Sequence, residues 1–199
     1  NKKKHILTIE DPIEYIFEPK ESIIDQKELG KDVSSFSNAM KYALRQRPDV
    51  ILFWEMRDLE SIRNAILLSE TWHLVLTTVH ARSSEQALNK IIGSFPPEEQ
   101  THIRTQLSEN MAAIVVQKLL KRIDKPGLVL WQEVLINTTA VTNLIKENKL
   151  NQLKSIMYTN RMSWGMQVME ESLIQLFEEK KISLEQALEA ANDPAYIKR

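Results

Sequence analysis

A chain of 199 residues is long enough for one ordinary domain, or for a core domain with a small helical appendage. With 43% hydrophobic and 27% charged residues it has the composition of a globular protein, and 26 Lys+Arg against 27 Asp+Glu give a net charge of −1 that advertises neither nucleic acid nor an anionic membrane. The absence of cysteine excludes a disulfide scaffold, a Cys-ligated zinc and a thiol nucleophile; no run approaches the roughly 18 apolar residues of a membrane span, and Asn1-Lys2-Lys3-Lys4 lacks the apolar stretch of a signal peptide.

In chain order, His5 to Ile9 reads as a buried strand that Pro12 stops, leaving acidic residues behind it. Tyr15-Ile16-Phe17 and Ser22 to Gln26 read as a short hairpin around Glu18-Pro19-Lys20. Ser34 or Ser35 caps a helix from about 36 to 45, with Ala39, Met40, Ala43 and Leu44 on its apolar face. Val50 to Phe53 is a continuous apolar run of the kind found in a central parallel strand. Asp58 caps a helix to about Glu70, Leu74 to Val79 forms another buried strand, and Ser83 or Ser84 caps a helix through about Ile92 before Phe95-Pro96-Pro97. Buried strands alternating with amphipathic helices define an α/β layer with a parallel sheet. Val115 to Ile123 and Leu128 to Ile136, joined by Asp124-Lys125-Pro126-Gly127, read as an antiparallel hairpin on the margin of that sheet. From Thr138 the pattern is helical, with a break at Met162 to Gly165. The expected division is an α/β core over 1–137 and a helical subdomain over 138–199.

Three polar clusters follow buried strands: Glu10-Asp11 with Glu14, Glu55 with Arg57 and Asp58, and His73 with His80. In open α/β sheets the ligand crevice lies at the C-terminal ends of the strands. Singly, each cluster also has an ordinary reading; Asp58 is a natural helix cap. His73 and His80 are an odd number of residues apart, so on one extended strand they face opposite sides, against a shared metal. The apolar strand that ends at Glu55 has the form of a Walker B element, in which a rigid strand delivers a carboxylate to Mg²⁺ and the attacking water beside a γ-phosphate.

Taken together, these blocks resemble secretion-type ATPases. His5-Ile-Leu-Thr-Ile-Glu-Asp-Pro-Ile-Glu14 is similar to their Asp box, Ala43-Leu-Arg-x-x-Pro-Asp-Val-Ile-Leu-x-x-Glu-Met-Arg-Asp58 to their Walker B region, and Glu70-Thr-x-His-Leu-Val-Leu-x-Thr-x-His80 to their His box. Gly165-Met-Gln167 resembles an element of the pilus-retraction branch. The likeness covers essentially the whole chain and points to the C-terminal ATPase domain of the PilT/PilU-type twitching-motility family. It implies a RecA-like core, ATP and Mg²⁺ as ligands, and a homo-oligomeric ring, generally a hexamer. The ring would be cytoplasmic and peripheral to the inner membrane at the pilus base, acting on a pilus platform protein, with no nucleic acid involved. By the same resemblance Glu55 is the catalytic acid, Glu14 arranges Mg²⁺ and water, and Glu10 and Asp11 assist. His73 and His80 sense the γ-phosphate. Arg45 and Arg57 either neutralise charge at a subunit interface or form structural salt bridges.

The sequence also departs from the family. No Gly-x-x-x-x-Gly-Lys-Ser/Thr occurs in the 199 residues, so the resemblance implies a chain that begins just after the phosphate-loop helix, without the N-terminal PAS-like domain, and that is inactive alone. Ala140 to Lys146 lacks both arginines of the helix motif that the retraction branch carries there. Other readings are a non-hydrolysing ring subunit that regulates an active paralogue, and an assembly or type II secretion ATPase, whose common tetracysteine site is missing. Glycine numbers only 4 where average usage gives about 14. Trp54 and Trp72 stand where the matched motifs carry Gly, and Trp164 adjoins a helix break. Glycine is therefore expected at these three positions in the native protein, with Trp131 the weakest case.

Overall fold

A computed structural model describes residues 3–56 and 58–198. The chain divides into two compact units, residues 1–80 with 93–99, and residues 81–92 with 100–199.

The first unit is built on four parallel strands, β1 (His5–Glu10), β2 (Ile23–Glu28), β3 (Val50–Trp54) and β4 (Leu74–Thr77), in the order β2-β1-β3-β4. Helix α1 (Phe36–Gln46) precedes β3 and α2 (Leu59–Ser69) follows it. Both begin where capping chemistry is encoded. The Ser35 side chain accepts from the Asn38 N–H, and Asp58 forms a reciprocal capping box with Ser61. Leu7, Ile9, Ile51 and Phe53 alternate along β1 and β3 and are buried against Ala39, Met40 and Ala43 of α1 and Leu68. Each such side chain contributes about 1.5–3 kcal/mol by leaving water. The two central strands are thereby the rigid part of this unit.

Three expectations change here. Tyr15 to Phe17 is not a strand, and β2 pairs parallel with β1 rather than closing a hairpin. Pro12 and Pro19 remove two ladder donors from the connecting segment, and Gln26 supplies side-chain bonds to Tyr15 and Phe17 where a ladder would have run. Strand β4 is shorter than expected and lies at the margin of the sheet with Leu74 and Leu76 exposed. Leu44 points away from the apolar face of α1 and is exposed.

The second unit contains most of α3 (Ser84–Gly93) and α4 (Pro97–Asn110), residues 93 and 97–99 being counted with the first, then the hairpin β5 (Ala113–Lys121) and β6 (Leu128–Ile136). Helix α4 has no counterpart in the sequence reading, although Pro97 at its first position followed by Glu98 and Glu99 is a helix-start signal. The hairpin forms a two-stranded sheet of its own instead of extending the parallel one. The helices α5 (Thr139–Lys146), α6 (Leu153–Thr159), α7 (Arg161–Trp164), α8 (Met169–Glu178), α9 (Leu184–Ala190) and α10 (Pro194–Ile197) complete the unit. Val116 and Trp131 of the hairpin share a core with Met169, Leu173, Leu176, Ile182 and Ala187, so the hairpin groups with the helices that follow residue 137.

The tryptophans separate clearly. Trp131 is 2% exposed and among the largest buried side chains, with Lys118 Nζ 4.9 Å from its ring centroid. Trp72 is 99% exposed with φ of 67°, the left-handed region where a side chain is strained and glycine is not. Trp54 and Trp164 are not among the described residues with positive φ, and Gly165 takes the left-handed cap after α7. Trp72→Gly is expected to stabilise the chain by up to about 1 kcal/mol, and Trp131→Ala to destabilise it by about 3–5 kcal/mol. Urea denaturation of the two variants checks both, and a destabilised Trp72→Gly would contradict the strain at that position.

Candidate active site

Because all four strands run the same way, the segments leaving β1, β3 and β4 emerge at one end of the sheet. Their spacing there is set by register: Glu10 is level with Trp54, and Phe53 with Thr77. The Met56 N–H donates to the Thr78 carbonyl at 3.3 Å, which ties the segment after β3 to the segment after β4. That tie brings Glu55 and His80 together, with Glu55 Oε2 2.7 Å from His80 Nε2. The pair is asymmetric: the glutamate side chain is 13% exposed and the imidazole 85%. A mostly desolvated carboxylate just past a strand end, paired with a solvent-facing imidazole, is suited to accept a proton from water or to orient it.

Glu10 is buried at the end of β1. Two donors fall on its Oε1, the Thr8 hydroxyl at 2.7 Å and Gln26 Nε2 at 3.1 Å, leaving Oε2 without a protein donor among the described residues. Asp11 follows directly, and the Asp11–Pro12 and Trp54–Glu55 peptides are both cis. Glu14 is exposed and makes no side-chain polar contact among the described residues, while its neighbour Ile13 donates its N–H to Glu28 Oε2 at 3.4 Å. Lys31, hydrogen-bonded to Glu28, holds that carboxyl below its usual range.

Of the expected site residues, Glu10, Asp11, Glu14, Glu55 and His80 therefore gather at the C-terminal end of the sheet. His73 does not. It precedes β4, whose Leu74 is level with Val50 and donates its N–H to Asp49, so it lies at the opposite end, about 17 Å away at 3.3 Å per residue over the five residues of β3. There its Nδ1 is 2.9 Å from the Thr71 hydroxyl. Treating the two histidines as one cluster at the C-terminal end placed one of them at the wrong end of a parallel strand. Arg45 also belongs to the N-terminal end: it sits exposed in the last turn of α1, just ahead of β3, with its guanidinium 5.7 Å from the Tyr42 ring centroid. Arg57 lies outside the described residues. Sequence reasoning missed Thr8 and Gln26, whose only signal was their position on strands beside an acid.

Among the described residues no three His, Cys, Asp or Glu side chains are placed to hold a metal ion together. The Thr77 and Thr78 hydroxyls are buried beside Glu55 without a hydrogen-bond partner among the described residues, donors still unused at the same end of the sheet.

Four parallel strands with helices before and after β3, and a nearly buried carboxylate just past the end of β3, define this as an α/β protein. The chain matches the type II/IV secretion system protein family over residues 1–197 and belongs to it. It is 44% identical to a twitching motility protein of Neisseria gonorrhoeae over 95% of its own length and 50% of that protein, and 42% identical to the type IV pilus retraction ATPase PilT of Pseudomonas aeruginosa over 97% and 56%. Its fold superposes on a crystal structure of the pilus retraction motor PilT with bound ADP with a TM-score of 0.91 at 43% identity, covering all of this chain and 55% of that one. The chain thus spans about half the length of these relatives. The parallel α/β architecture agrees with the RecA-like core expected from sequence.

The Glu55–His80 pair opens to water on its histidine side, so its contribution to stability is small. His80→Ala should shift unfolding free energy by less than about 1 kcal/mol, read from the denaturation midpoint. A loss of several kcal/mol would make the pair a structural bridge instead.

Proposed function

We propose that these residues supply the hydrolytic half of an ATP-driven motor for type IV pilus retraction, with Glu55 as the acid that orients and activates the attacking water. The observation that carries this reading is the placement of Glu55 and Glu10 side by side at the C-terminal end of a parallel sheet, in a chain 42–44% identical to proteins named for twitching motility and pilus retraction. In this scheme the Glu55 carboxylate orients the water, and the imidazole of His80 steadies that carboxylate. Glu14, exposed on its loop, and the free Oε2 of Glu10 provide oxygen ligands toward Mg²⁺ and its water shell, with Asp11 beside them. Bound Mg²⁺ would neutralise phosphate charge there. Arg45 and His73, at the other end of the sheet, fit a role toward a neighbouring subunit better than one beside Glu55, and Arg57 is assigned to charge neutralisation.

The working form is proposed to be a homo-oligomeric ring, hexameric by resemblance, in the cytoplasm at the pilus base, acting on an inner-membrane platform protein. No helix among the described residues is long and apolar enough to cross a membrane. A non-hydrolysing ring subunit is the second reading, favoured by one observation: Trp54, 40% exposed, stands directly before the catalytic acid, where a large indole would crowd an approaching nucleotide.

Residues 1–199 alone should bind nucleotide weakly and show no steady turnover, because they hold the acids but no Gly-x-x-x-x-Gly-Lys-Ser/Thr cradle for phosphate. In the full-length gene product, Glu55→Gln should lower ATP turnover by about a hundred-fold or more and leave ATP binding intact. Phosphate release and fluorescent-nucleotide titration measure the two. Equal loss of binding and turnover would assign Glu55 a structural role, and a wild type that binds ATP without hydrolysing it would favour the regulatory subunit.

A further inference from the structure

The loop that carries Glu14 has no ladder of its own, and part of its backbone is bonded by side chains instead. Gln26, on the adjoining strand β2, satisfies it with one side-chain amide. The Phe17 N–H donates to Gln26 Oε1 at 2.8 Å, Gln26 Nε2 donates to the Tyr15 carbonyl at 2.8 Å, and the same Nε2 donates to Glu10 Oε1 at 3.1 Å. The three partners fix the amide's orientation. Turned over, its oxygen would face a carbonyl and a carboxylate, and its NH₂ would face an N–H. Neither glutamate, which has no donor, nor any apolar residue can make all three bonds.

Glu14 lies between two points of attachment to β2. Ile13 before it is bonded to Glu28, and Tyr15 after it to Gln26. Since the Glu14 side chain touches no polar partner among the described residues, its position is decided by the backbone on either side. Gln26 also shares Glu10 Oε1 with the Thr8 hydroxyl, which leaves Oε2 as the available oxygen.

We infer that Gln26 is a positioning residue for hydrolysis, a single amide that holds the Glu14 loop and turns the Glu10 carboxylate toward the same site. The inference rests on the ATPase reading above. It makes β2 part of the site although none of its side chains need touch nucleotide. Misplacement of a reacting group by about 1 Å can cost on the order of 10²-fold in rate, which sets the scale of the effect.

The test uses the full-length gene product with Gln26→Met, which keeps side-chain length and removes all three bonds, and Gln26→Glu, which keeps only the acceptor for Phe17. Two readouts are taken, amide hydrogen exchange at Phe17 and steady-state ATP kinetics. In Gln26→Met, Phe17 should lose its protection and kcat should fall about ten- to a hundred-fold, with KM for ATP changed by less than about three-fold and the melting temperature close to wild type. In Gln26→Glu, Phe17 should stay protected while kcat still falls, because Glu10 then faces a second carboxylate instead of a donor. Wild-type kcat in Gln26→Met, or unchanged Phe17 exchange in that variant, would overturn the inference. If the wild type itself does not hydrolyse ATP, it is the ATPase reading that fails, and Phe17 exchange still decides whether Gln26 holds the loop.

Discussion

The parallel register between β1 and β3 sets the position of everything at the site. With Glu10 level with Trp54, the two acidic segments leave the sheet beside each other, and with Phe53 level with Thr77 the segment bearing His80 arrives next to Glu55. A shift of one residue would turn Leu7, Ile9, Ile51 and Phe53 out of the core and carry the Glu10 side chain to the other face. The apolar alternation that holds the sheet together is therefore also what aligns the carboxylates. Burial of Glu10 and near-burial of Glu55 then follow from their place at the ends of buried strands.

Around this frame, side chains do work that backbone ladders do elsewhere. The segment between β1 and β2 contains two prolines and is held by Glu28 and Gln26. The segments after β3 and β4 are joined by the Met56–Thr78 backbone bond and the Glu55–His80 pair. Loops fixed by a few discrete bonds can move as units when those bonds change. The scarcity of glycine has a visible consequence as well: Arg47, Trp72, Asn148 and Lys180 all occupy left-handed backbone positions that glycine would occupy without strain.

Much of this was legible in the sequence. Val50 to Phe53 read as a central strand from its unbroken apolar run, Asp58 as a cap from its place before a helical pattern, and Glu55 as a site residue because it ends a buried strand. What escaped was relational. Nothing local distinguishes β2 as a parallel neighbour of β1 from the second arm of a hairpin, since the periodicity of Ser22 to Gln26 is the same in both. His73 and His80 read as one cluster because both adjoin the same buried run, Leu74 to Val79, and only strand direction puts them at opposite ends. Gln26 carries no motif of its own; its role arises from one amide that meets a carbonyl, an N–H and a carboxylate at once. Helix α4 carries little periodic signal because its apolar face is thin, with Ile103 its one buried large side chain.

The central claim is that the C-terminal end of the β1–β3–β4 sheet is the hydrolytic site. The most direct measurement is a structure of the full-length gene product with Mg²⁺ and a non-hydrolysable ATP analogue. The Glu55 carboxylate should then stand within about 2.6–3.2 Å of a water in line with the γ-phosphate, with Glu10 and Glu14 facing the metal's water shell. A γ-phosphate bound at the end of the sheet occupied by His73 and Arg45, with Glu55 still paired to His80 and away from any nucleotide-bound water, would contradict the account.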